Sequence, residues 1–135
     1  MGIKAIARLA PILVQFRHPL GGTDAQDVHI FVADRDYEIM DVWEFHNANG
    51  GSGSTLDLGV SASGTAPASL TSALSSTFSI ESTNNVPVQA TLSSTLSDRV
   101  VNRGEHLSVA LTGTITSYEG GLSIILKPIR NNPSY

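Results

Sequence analysis

Apolar and polar residues alternate with a period of two along most of the chain, and turn-forming residues separate the alternating runs, as in half-buried β-strands. The first run, Pro11 to Phe16, ends at the breaker cluster His18-Pro19-Leu20-Gly21-Gly22. A second, Asp27 to Ala33, leads through Asp34-Arg35-Asp36 into the longest, Tyr37 to His46. Thr55 to Ser61 follows, with Leu56, Leu58 and Val60 on one side, then Thr77 to Ser82, Val86 to Leu92, His106 to Thr114 and Gly121 to Ile129. Between these runs, Asn47 to Ser54 is rich in Gly and Asn and reads as a flexible loop. Ser63-Gly64-Thr65-Ala66-Pro67 breaks the sheet, Ala68 to Leu74 predicts one short helical turn, and Tyr118-Glu119-Gly120-Gly121 predicts a hairpin turn. The pattern as a whole predicts an all-β fold: an antiparallel, jelly-roll-like β-sandwich of about eight strands with an N-terminal arm.

One run does not keep phase. Tyr37, Ile39, Val42 and Phe45 share no strict alternation, because Met40 and Asp41 shift it, and a β-bulge near those residues explains the shift. Beyond it, a face carrying Val42, Glu44 and His46 opposes one carrying Asp41, Trp43 and Phe45. One of the two must hold polar side chains in a semi-buried place unless the strand is an edge, and the pattern does not choose between them.

Length then sets the organisation. At 135 residues the chain is the size of one domain, divided into an arm at 1–10, the sandwich at 11–129 and a tail at 130–135. The arm carries Ile3, Ile6 and Leu9 beside Lys4 and Arg8, so it reads either as a docking arm or as a leading strand at the sandwich edge. Arg8 and Pro11 interrupt the apolar stretch, and no small-residue cleavage site closes it, which argues against a secretory signal. No run approaches the ~20 apolar residues of a membrane-spanning helix, so no membrane partner is expected.

Charge and chemistry narrow the function. A formal net charge of −4 disfavours nucleic acid, which needs a surplus of Lys and Arg. Only 15% of residues are charged, and a surface of Ser, Thr, Gly and Asn suits packing against protein. With no cysteine, thiolate zinc sites and thiol nucleophiles are excluded. His18, His29, His46 and His106 fall in no metal-ligand spacing, and His29 and His46 read as surface or interface imidazoles. Asp34 and Asp36 could offer oxygens to calcium, yet Arg35 stands between them, and such aspartates more often accept backbone N–H bonds. A Gly-x-Ser-x-Gly elbow and a phosphate-binding Gly loop are both missing, and Glu38 and Glu44 line no evident cleft. The reading is of a binding protein without catalytic residues, cofactor or metal.

Several of these segments together resemble small structural proteins of tailed bacteriophages. They are Phe31-Val32-Ala33-Asp34-Arg35-Asp36-Tyr37, the strand ending Glu44-Phe45-His46, the Gly-rich loop, the Leu-Asp-Leu strand, the Gly-Thr-Ala-Pro loop, Arg103 to Thr114, and Leu122 to Ile129. The resemblance implies a capsid decoration, or cement, protein: a homotrimer on the exterior of the virion, made in the host cytoplasm, that stabilises the assembled head by bridging subunits of the major capsid protein. Extended termini could add strands to a neighbour's sheet, which makes Ile3, Lys4, Ile6, Arg8, Leu9, Arg130, Asn131 and Tyr135 the candidate partner-binding residues. The alternative is a receptor- or carbohydrate-binding module of a head or tail fibre, with the Gly-rich loop and Ser63 to Ser76 as its binding edge. A hydrolase assembled from separate strands is the third reading.

Overall fold

The computed structural model describes residues 10–18 and 27–129. Ten strands are present among them: β1 (Ile12–His18), β2 (Asp27–Val32), β3 (Tyr37–Ala48), β4 (Thr55–Ser61), β5 (Thr71–Ser72), β6 (Phe78–Ser79), β7 (Val88–Gln89), β8 (Val100–Val101), β9 (His106–Thr112) and β10 (Glu119–Pro128). Their pairing is nested. β1 pairs with β10, β2 with β9, β3 with β7 and β8, and β4 with β5 and β6, all antiparallel. The chain is thus one long ribbon doubled back on itself, with its fold point in the loop after β4.

Two further pairings, β3 with β10 and β4 with β9, wrap that ribbon into two sheets. Sheet A runs β1-β10-β3-β7, with β8 also on β3, and sheet B runs β2-β9-β4-β5, with β6 also on β4. This is the strand order of a jelly roll, an antiparallel sandwich as the alternation predicts. The core lies between the sheets, where Ile39, Val42, Leu122, Ile124 and Leu126 of sheet A meet Leu56, Leu58, Leu107, Val109 and Leu111 of sheet B.

The bulge falls where the phase shift placed it. Ile125 opposes Asp41 while Leu126 opposes Ile39, so Met40 is the extra residue. It lets Tyr37 and Ile39 share the inner face with Val42, Glu44 and His46; without it, one half of β3 would turn its apolar side to solvent. β3 is a central strand, and its buried polar residues are Glu44 and His46.

Three local expectations are corrected. Ala68 to Leu74 is not a helical turn: a 3-10 turn occupies Pro67–Ser69, β5 follows, and Leu74 bridges to Leu92. The hairpin turn expected at Tyr118 to Gly121 lies one step earlier, because Tyr118 is buried and β10 begins at Glu119. Thr77 to Ser82 and Val86 to Leu92 shrink to the two-residue strands β6 and β7. Residues 80–97 otherwise run along the edge as irregular chain held by single bonds, such as Ala90 N–H to Val42 O at 2.9 Å and Ser75 N–H to Thr91 O at 2.8 Å.

Backbone approach explains one glycine in β10. A Cβ on Gly121 would sit 1.9 Å from the Phe16 carbonyl oxygen, so a side chain there must push β1 and β10 apart. Gly121→Ala is therefore expected to cost about 1–3 kcal/mol. Urea denaturation should show a lower midpoint, and an unchanged midpoint would mean that β1 moves freely against β10.

Candidate functional site

The outer face of sheet A is built by the side chains that alternate with the core residues. Register sets them in rows: Leu13, Ile125 and Asp41; then Gln15, Ser123, Trp43 and Gln89; then Arg17, Gly121 and Phe45. Trp43, the single tryptophan of the chain, is 37% exposed at the centre, with Met40 at 43% and Leu13 at 56%. Asp41 Oδ2 accepts the Trp43 indole N–H at 2.9 Å, and Asp41 Oδ1 accepts the Gln89 side-chain N–H at 2.9 Å. Both carboxylate oxygens are used to fix neighbours, so the indole is held in place before any partner arrives.

Charge thins out from this face toward the β7 edge. From Ser82 to Ser97, sixteen consecutive residues carry no charge and most are exposed, including Val86, Val88 and Leu96. Gln89 in this stretch pairs directly with Trp43, so the apolar face and the uncharged edge are continuous. Ion pairs sit at the periphery, at Arg17–Glu119 (3.1 Å) and Arg99–Glu38 (3.7 Å).

Behind Trp43, on the opposite side of β3, lies a buried polar cluster. Glu44 and His46 are nearly inaccessible and hydrogen-bonded to each other through His46 Nδ1, while His46 Nε2 lies 2.9 Å from Ser82 O. A carbonyl only accepts, so Nε2 must carry a hydrogen. Nδ1 and the carboxyl then share one proton, and the pair has no net charge whichever side holds it. Burial pushes the Glu44 carboxyl above its ordinary range, with His46 opposing the shift. The Tyr118 ring lies tilted against both His18 and His46, at 5.6 and 5.8 Å, and burial, with Glu44 close by, drives its phenol far above the usual tyrosine range and keeps it neutral. His18 Nδ1 meets Tyr118 O at 3.0 Å, while His18 Nε2 and the Tyr118 hydroxyl are buried with no hydrogen-bond partner among the described residues.

The cluster holds a strained turn. Asn85 N–H donates to His46 O at 2.8 Å, and Thr83 and Asn85 both adopt positive φ, at 64° and 65°. Left-handed backbone is costly for a β-branched residue and persists only where its surroundings enforce it. His46 grips the turn through its ring at Ser82 and through its carbonyl at Asn85, and so sets where Val86 and Val88 enter the β7 edge of sheet A.

The other candidates from the sequence disperse. His46 is buried rather than at a surface, which corrects that expectation; its polar neighbours, not alternation, draw it inward. His29 stacks on His106 at 4.0 Å and its Nδ1 lies 2.8 Å from Ser108 Oγ, but Ser108 is fully buried and no substrate reaches the hydroxyl. Asp34 binds the Tyr37 hydroxyl and the Arg35 guanidinium, which hold its carboxyl below the usual range despite some burial, and Asp36 Oδ1 accepts Arg103 N–H at 2.8 Å. Among the described residues no three His, Cys, Asp or Glu side chains converge as metal ligands, and no helix is long and apolar enough to cross a membrane. Ile3, Lys4, Ile6, Arg8, Leu9, Arg130, Asn131 and Tyr135 lie outside the described residues.

The sequence reading missed the outer face of sheet A. The signal was available in Trp43 and Met40, large apolar residues on the phase that opposes Val42 once the bulge is allowed.

The class these features define is an antiparallel jelly-roll sandwich with a preorganised, weakly charged apolar face. Compared with models of protein families, with curated proteins and with solved structures, the chain matches none.

Proposed function

We propose that the chain is a non-catalytic structural protein of a virion, a capsid decoration protein that docks on the assembled phage head, bridges major capsid protein subunits and acts as a homotrimer on the capsid exterior. The observation that carries the reading is the face around Trp43: an aromatic anchor fixed by the Asp41 carboxylate, with Leu13, Met40 and Gln89 beside it, continuous with a long uncharged edge. Anchors of this kind dominate protein interfaces, and a face that needs little desolvation of charge fits another protein better than nucleic acid. The resemblance through Phe31 to Tyr37 and Arg103 to Thr114 supports the phage head as the partner. A ligand that binds only the assembled shell adds its binding free energy to the lattice, and several simultaneous contacts multiply a modest one.

Light scattering is expected to give a particle of three chains of 14.2 kDa each. Sedimentation with expanded heads should show saturable binding that unassembled capsid subunits do not compete away. A monomer that ignores expanded heads sinks the proposal.

A fibre-borne receptor-binding module remains the second reading, favoured by one observation: the loop between β4 and β5, expected to form its binding edge, lines a pocket.

A further inference from the structure

At the end of the sandwich away from His46, an open pocket of about 240 Å³ lies between three separate segments. Val60 and Ala62 at the end of β4 and Thr65, Ser69 and Thr71 of the following loop and strand form one side. Ser97 and Val100 close the other, and Asn102 and Glu105 stand at the turn before β9. We propose that this pocket binds a neutral polyhydroxylated ligand, the terminal sugar residue of a glycan. The proposal rests on the second, receptor-binding reading and names its ligand; it does not depend on head docking, since none of its residues belongs to the Trp43 face.

The lining selects this chemistry by elimination and by fit. It holds one carboxylate and no cationic side chain, so phosphate, sulfate and acidic sugars meet repulsion without compensation. A single carboxylate is too few oxygens of charge for calcium, which takes six to eight ligands with several acids among them. A purely apolar ligand would strip water from four hydroxyls, an amide and a carboxylate and return no hydrogen bonds. A sugar ring answers each of these groups, because its hydroxyls both donate and accept.

Shape agrees with the chemistry. Val60, Ala62 and Val100 are the apolar part of the lining, a surface for the C–H face of a ring. Glu105 Oε1 accepts Asn102 N–H at 2.8 Å, which orients the carboxylate on its own turn. The volume falls just below the ~300–1,000 Å³ of sites for drug-sized molecules, the size of one ring rather than a chain of them.

The test is titration of the isotope-labelled full chain by NMR with the methyl glycosides of glucose, galactose, mannose and N-acetylglucosamine, each alone, with sodium sulfate as the anion control. At least one glycoside should give saturable shifts confined to 60–71 and 97–105, with a dissociation constant on the order of millimolar for so small a ligand. Thr71→Val, which removes one hydroxyl at constant shape, should weaken that binding about tenfold, and Ala62→Leu, which adds bulk to the lining, should abolish it. Trp43→Ala should leave it unchanged. Saturable shifts with sulfate, no saturable shift with any of the four sugars, or sugar binding indifferent to both pocket variants while their spectra remain folded would each overturn the proposal. Head binding by Thr71→Val is measured in parallel, so failure of the pocket and failure of the docking face are read separately.

Discussion

Glu44→Ala is expected to remove about 3–5 kcal/mol of folding stability, the cost of breaking a buried pair by deleting one partner. The alanine leaves His46 Nδ1 with no hydrogen-bond partner in a space that solvent does not reach, and it empties the volume of the carboxyl beside Tyr118. Glu44→Gln should cost far less, because the amide N–H can donate to Nδ1 in the same way as the protonated acid. Urea denaturation of the three proteins at one pH checks the order. Equal losses for Ala and Gln would show that an N–H donor to Nδ1 does not replace the carboxyl.

The same pair gives a pH dependence with a defined sign. The Glu44 carboxyl is raised above its unfolded value, mainly by burial. A raised group contributes stability that is fully present below the ordinary carboxylate range and is lost as pH rises through the folded value. The wild-type advantage over Glu44→Gln should therefore shrink as pH increases, since a carboxylate without the shared proton is a buried uncompensated charge. Asp34 works in the opposite sense: Tyr37 and Arg35 depress it, so its smaller contribution is present above the ordinary range and is lost as pH falls. A stability difference between wild type and Glu44→Gln that does not vary with pH would mean that water enters the cluster.

The turn at Ser82 to Asn85 links this cluster to the surface. His46 fixes the turn from inside, and the chain then runs along the exposed β7 edge, where Val88 pairs with Glu44 and Gln89 with Trp43. The two faces of β3 are in this way linked. Its inner residues set the backbone, and its outer residues form the face proposed for docking.

Strands with strict alternation were legible from the sequence, because a period of two at Leu56, Leu58 and Val60, or at Leu107, Val109 and Leu111, admits one inward face. The bulge at Met40 was legible for the same reason, since only an extra residue reconciles Ile39 with Val42. The inner face of β3 was not. Val42-x-Glu44-x-His46 and Asp41-x-Trp43-x-Phe45 each mix polar with apolar residues, and the choice depends on partners far away in sequence: Ser82 and Tyr118 accommodate His46, while Asp41 and Gln89 fix Trp43 outside. Ala68 to Leu74 misled because Leu70 and Leu74 stand four apart by coincidence. Leu70 covers Gly59, whose missing side chain admits the Thr71 carbonyl, and Leu74 belongs to the bridge with Leu92. The pocket gathers three segments that no local pattern connects.

Trp43→Ala is expected to weaken binding to expanded heads by about thirtyfold or more while leaving the fold intact. A centrally placed, well-packed tryptophan typically carries 2 kcal/mol or more of an interface, and its indole is already oriented by Asp41, so little entropy remains to be lost on docking. Its 37% exposure on the outer face means that truncation opens no core cavity, and the denaturation midpoint should move little. Asp41→Asn tests the orientation separately. An asparagine oxygen can still accept one of the two N–H bonds but not both strongly, so binding should fall by less than for Trp43→Ala, through faster dissociation. Multiplicity sharpens the readout: if three copies of the face engage together, a loss at each site compounds in the apparent affinity for the shell. Unchanged head binding by Trp43→Ala at full stability would remove sheet A as the docking face and direct the search to the termini, where Ile3, Ile6 and Leu9 stand beside Lys4 and Arg8.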